Sequence, residues 1–187
     1  MSEQINNIEK RVLIKEEKKG LNVQDIILVA VLLAAGAVLK FFVGTIINIG
    51  GMKPNFIIAM YCLAIMLIKP KLHEAGIIGI LAGAICQFFP GTALINLGSE
   101  ILGALSMYFF TRLSFMKIKK FDIRPIIGSF VSTVISGGMY VVLLFIVTNA
   151  EKSAMIAYIP IVICTAAINC IIVQLLYLPV KAALKKD

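Results

Sequence analysis

The chain has 187 residues, of which 60% are hydrophobic and 15% charged, with a net charge of +8 and a mean hydropathy of +0.97. That balance excludes an ordinary soluble domain. The charges cluster in short breaks between apolar runs of roughly 13 to 20 residues, which predicts a bundle of membrane helices, while the period-2 pattern of a barrel is absent.

Residues 1–24 are mixed in charge and lack the apolar core and small-residue cleavage site of a signal peptide. They predict a cytoplasmic tail or a short helix lying on the membrane surface. Helix 1 is expected to start at a cap formed by Asn22 and Asp25 and to run to about Val43. The stretch GTIINIGGMKPN that follows is too short and glycine-rich to span, and predicts an ordered or re-entrant loop. Pro54 suits the first turn of helix 2, which ends at the basic break Lys69 to Lys71. Helix 3 covers EAGIIGILAGAICQFF and stops at Pro90-Gly91, and helix 4 covers Ala93 to about Thr111. After the basic loop RLSFMKIKKFDIR come helix 5, about Pro125 to Thr148, and helix 6, about Ser153 to Val180, with Pro160 near its start.

Six spans put both termini on one side. The tail before helix 1 carries five Lys/Arg, the 2–3 loop two, the 4–5 loop five and the C-terminus three, against one each in loops 1–2 and 5–6. The positive-inside rule therefore predicts cytoplasmic termini, with loops 1–2, 3–4 and 5–6 facing outward. The net positive charge marks this topology rather than a nucleic-acid partner.

Within ALINLGSEILGALSMYFF, Glu100 is the one ionisable group. It is expected about eight residues below the outer end of helix 4, roughly 12 Å at 1.5 Å per residue. A carboxylate there costs about 2.5 kcal/mol or more if it faces lipid, so it should turn into the bundle. Asn96 lies one turn away, with Ser99 and Gly103 nearby, giving a single polar, small-residue face. Asn55 at the start of helix 2, Gln87 at the end of helix 3, Lys53, and the loop around Asn48 gather at the same level. They sketch a pocket for a small zwitterion or polar heterocycle, with Phe41, Phe42, Phe88 and Phe89 as nearby aromatic surface. Glu100 could instead be a structural charge paired with Lys40 or Lys53. Asn169 and Gln174 are expected to bond between helices.

Cys62, Cys86, Cys164 and Cys170 all fall in apolar runs without metal-ligand spacing, as small buried hydrophobes do. His73 sits in the polar break KPKLHE. Neither a phosphate-cradling loop nor an intramembrane Ser/His or metalloprotease constellation is present, so no catalytic residue, metal or cofactor is expected. Ala30 and Ala34, with Ala37 close to the same face, give helix 1 a small-residue stripe of the kind that admits another helix.

The string Gly50-Gly51-Met52-Lys53-Pro54-Asn55, the AxxxA of helix 1 and the segment Asn96-Leu-Gly-Ser-Glu100 together resemble the S components of energy-coupling factor (ECF) transporters. The similarity is greatest to their tryptophan transporter branch and covers about Asp25 to Val180. It departs from that branch at Asn55, where an acid is expected, and at Glu100, where a base is expected. The resemblance implies an all-α bundle of six transmembrane helices forming a substrate-binding domain (25–180) between cytoplasmic tails (1–24 and 181–187). It also implies a multi-pass protein of the bacterial cell membrane that captures a small micronutrient or amino acid outside. Uptake would then be driven by a transmembrane coupling protein and two ABC-type ATPases, with Ala30 and Ala34 as the docking face. Two other readings stand beside it: a stand-alone carrier that couples uptake to protons through Glu100, and a membrane scaffold that binds partner helices.

Overall fold

The computed structural model describes residues 20–47, 53–89, 94–113, 117–118, 121–149 and 155–184. Among the described residues six helices make up the bundle: α1 (Val23–Ile46), α2 (Ile57–Ile68), α3 (Leu72–Cys86), α4 (Ile95–Arg112), α5 (Arg124–Thr148) and α6 (Ile159–Ala183). A 3-10 turn, Ile156–Tyr158, leads into α6. Two-residue strands β1 (Lys117–Ile118) and β2 (Phe121–Asp122) pair antiparallel in the basic loop between α4 and α5. The chain is an all-α membrane bundle. Among the described residues, three helices (α1, α5, and α6 with its leading turn) are long and apolar enough to cross a membrane.

The short α2 is the axial post. All 12 of its residues are buried, as expected of a helix that is apolar on every side. At 1.5 Å per residue it covers roughly 18 Å, less than a hydrocarbon core, so it needs the longer helices around it. The helices α1, α3, α4, α5 and α6 all pack on it. Their outer faces carry exposed aliphatic bulk: Ile27, Val31 and Val38 on α1, Ile146 on α5, and Ile171 and Leu175 on α6.

Helix ends shift from the sequence expectations for local reasons. The Asn22 cap is present: its side chain accepts from Asp25 N at 2.8 Å, and Asp25 Oδ2 accepts from Asn22 N at 3.4 Å. The helix it starts runs on to Ile46, one turn beyond the expected Val43. Pro54 does not enter the first turn of α2. Asn55 Oδ1 instead accepts from Ile57 N at 3.3 Å, and the Asn55 carbonyl accepts from Asn169 Nδ2 at 3.1 Å, which holds Lys53 to Asn55 outside the helix.

The third helix begins two residues earlier than expected because Glu74 Oε2 accepts from Lys71 N at 2.7 Å. His73 is therefore an exposed first-turn residue rather than a loop histidine. At its other end α3 tightens into 3-10 bonds through Phe89, such as Phe89 N to Cys86 O at 3.2 Å. The expected stop at Pro90-Gly91 lies outside the described residues. Helix α4 starts after Leu94, whose φ of 68° is left-handed, and α6 continues past Pro179 to Ala183.

Helices α3 and α4 approach closely because α3 is bare at Gly79 and Gly83. A Cβ added at Gly83 would stand 2.7 Å from Leu97 Cα. Gly83→Val is expected to destabilise the detergent-solubilised protein by about 1–3 kcal/mol through overpacking. Thermal unfolding reads this directly, and an unchanged midpoint would contradict the close packing.

Candidate functional site

Helix α4 turns one polar stripe inward, and Asn96, Ser99, Glu100 and Gly103 are all buried on it. Glu100 is 1% exposed. Asn55 Nδ2 donates to its Oε1 at 2.5 Å, and Ser136 Oγ of α5 donates to its Oε2 at 3.2 Å. Both donors are neutral. Among the described residues no lysine or arginine forms an ion pair with Glu100.

Lys40 sits at the same end of the bundle on α1 and is 7% exposed. Its ammonium donates to Cys86 Sγ at 3.2 Å and lies 5.1 Å from the centroid of the Phe89 ring. The Cys86 sulfur is 3.6 Å from Asn55 Nδ2. Lys40, Cys86, Asn55 and Glu100 thus form a chain from one charge to the other, with Asn55 as its pivot.

This chain borders a cavity of about 50 Å³, enough for roughly three to five waters. Lys53, Asn96, Ser136 and Tyr140 complete its polar and aromatic wall. Ionisable groups of both kinds, amide and hydroxyl groups and two aromatic rings can hold and orient a small polar group. Among the described residues, no group of three His, Cys, Asp or Glu could hold a metal.

Of the residues that the sequence singled out, Lys53, Asn55, Asn96 and Glu100 meet at the cavity. Two others do not. Ser99 Oγ bonds back to the Asn96 carbonyl at 3.3 Å. Gln87 ties backbone to backbone, donating to Gly83 O at 3.2 Å and accepting from Leu94 N at 3.1 Å. Asn48 lies outside the described residues, as do Gly50, Gly51 and Met52. Of the four phenylalanines only Phe89 reaches the cavity, while Phe88 is 89% exposed and Phe41 and Phe42 also face outward.

Asn169 bonds between helices as expected, to the Asn55 carbonyl and to Thr133 Oγ1 at 3.2 Å. Gln174 Oε1 is buried without a hydrogen bond among the described residues. The cysteines divide: Cys62 is a buried hydrophobe, Cys86 lines the cavity, Cys170 is partly buried and Cys164 is exposed.

Cys86, Ser136 and Tyr140 enter the site without having been singled out for it, and Lys40, considered only as a structural partner of Glu100, joins them. Ser136 carried a signal, because Gly128, Ser132 and Ser136 form one small polar face of α5 and all three are buried. Away from the cavity, Ala30 and Ala34 are exposed on α1, while Ala37 is half-buried.

The sequence profile of the family described as tryptophan transporter TrpP matches residues 22–185. The chain is also similar to a protein of Clostridium acetobutylicum named probable tryptophan transport protein, at 29% identity over 168 residues covering 88% of this chain and 96% of that one. No solved structure matches the chain. Both matches name transporters and neither an enzyme, and the profile takes in all six helices and the whole cavity wall. The chain belongs to the tryptophan transporter TrpP family and is a membrane-embedded transport protein for a small molecule.

Proposed function

We propose that this chain is the substrate-capturing membrane subunit of an energy-coupling factor importer. It takes tryptophan or a closely related small molecule, whose polar head enters the cavity around Glu100. The observation that carries the proposal is the convergence of Lys40, Lys53, Asn55, Asn96 and Glu100 from two helices and a loop onto one cavity at one end of the bundle. The distribution of Lys and Arg supports an orientation with that end outside the cell and both termini in the cytoplasm. Family membership and the name of the clostridial relative support the transport role and the substrate class.

The energy comes from elsewhere. A transmembrane coupling protein would dock on Ala30 and Ala34, and two ABC-type ATPases would drive the tipping of the bundle that opens the cavity inward. In this scheme residues 25–180 form the binding domain, and the segments before and after it are cytoplasmic.

Glu100 favours a second reading. A buried carboxyl bonded only by neutral donors among the described residues is a group through which a stand-alone carrier could couple uptake to protons. Vesicles containing the chain alone separate the two. The importer subunit binds radiolabelled tryptophan but does not accumulate it under an imposed proton gradient without ATP. Accumulation that disappears in Glu100→Gln would establish the carrier instead.

A further inference from the structure

We infer that Lys40 and Glu100 are the two poles of a zwitterion site: Lys40 takes the α-carboxylate of an amino acid, Glu100 takes its α-ammonium, and the side chain lies against Phe89 and Tyr140. This rests on the transport reading above and adds a binding orientation, with Lys40 as a determinant of specificity.

The inference starts from what each charge lacks. An ammonium has three hydrogens to donate. Lys40 finds a thiol sulfur, which is a weak acceptor, and the face of a phenyl ring, and among the described residues neither is an anion. A buried cation in such surroundings is costly unless an anion joins it. Glu100 has two oxygens with room for about four donors; among the described residues Asn55 and Ser136 supply one to each, and the buried Tyr61 hydroxyl lies beside them. No cation touches it directly: Lys40 acts on it only from beyond Asn55.

The two groups do not neutralise each other as a direct ion pair. Asn55 stands between them, donating to Glu100 while its amide nitrogen lies 3.6 Å from the Cys86 sulfur that Lys40 holds. Opposite charges kept apart by a neutral amide on the wall of one cavity match a molecule that carries opposite charges a few bonds apart. A simple amine would satisfy Glu100 and leave Lys40 without an anion, and a simple acid would do the reverse. Lys53 also borders the cavity, but it is only partly buried and has water available to it.

The test is equilibrium binding of L-tryptophan, tryptamine and 3-indolepropionate to the purified full-length chain and to its Lys40→Met and Glu100→Gln variants. The wild type should prefer tryptophan over each analogue by roughly 10- to 150-fold, the range of one hydrogen bond to a charged group. Lys40→Met should bind tryptophan no better than tryptamine, and Glu100→Gln no better than 3-indolepropionate. Equal wild-type affinity for tryptophan and either analogue overturns the assignment even if the variants fail to fold. So does the opposite pairing of variant and analogue.

The substrate reading fails separately. If the wild type ignores tryptophan but binds another of the twenty amino acids, that amino acid's own amine and acid analogues decide the two-pole assignment by the same criteria. Binding of none of the twenty overturns both.

Discussion

Ala30→Leu combined with Ala34→Leu is expected to abolish ATP-driven uptake by the proposed importer while leaving tryptophan binding by the isolated chain within about twofold of wild type. Both alanines are exposed among the described residues, so two leucines there are expected to fit without repacking the bundle. The helix on which they sit buries Val29, Leu32, Leu33, Gly36 and Lys40 on its other face. The variant therefore separates the surface from the cavity.

A bilayer provides little hydrophobic drive between helices, so association depends on close backbone approach past small residues, and added isobutyl groups hold a partner helix away. Uptake and co-purification of the coupling protein are the measurements, with binding by the isolated chain as the folding control. Undiminished uptake would remove Ala30 and Ala34 as the docking face. Loss of binding as well would mean that the face belongs to the fold.

Much of the site could be read from where charge interrupts apolar sequence. Glu100 stood out because a carboxylate in an 18-residue stretch that is otherwise suited to lipid must turn inward, and it does so with Asn96 and Gly103 on the same stripe. Asn55 stood out through the loop motif that holds it. Lys40 was harder to place. Near the expected end of helix 1, it reads from sequence only as a structural partner for Glu100. Once α1 continues to Ile46, the same residue is further inside and turned toward Cys86.

Gln87 and Ser99 fail in the opposite direction. Both have the right chemistry and lie close to the site, but the chain's own backbone takes up their hydrogen bonds at the 3-10 end of α3 and within α4. Periodicity places a side chain on a face but cannot say which acceptor it meets. The same limit applies to Cys86, where a small apolar-looking residue is the acceptor for a buried ammonium.

Asn55→Asp is expected to weaken tryptophan binding by more than about 100-fold, although it is nearly isosteric and restores the acid that the sequence motif leads one to expect there. The native amide donates to Glu100 at 2.5 Å. The substitution removes that donor and puts a second carboxylate against the first. A lost hydrogen bond to a charged group costs about 1.5–3 kcal/mol and the second acid adds to it, while about 2.7 kcal/mol is already a hundredfold in affinity. Asn55 and Glu100 are therefore expected to act as a coupled pair.

Its test is the reciprocal swap. Asn55→Asp combined with Glu100→Gln keeps one acid and one amide across the same gap, so it should recover most of the binding lost in Asn55→Asp alone. The cycle is completed by Glu100→Gln, which keeps Asn55 but loses the negative pole. If the two single changes simply add in the double variant, Asn55 and Glu100 act independently and Asn55 is no pivot. Recovery in the swap would show that the cavity requires one negative charge and one donor at this point, whichever of the two positions supplies each.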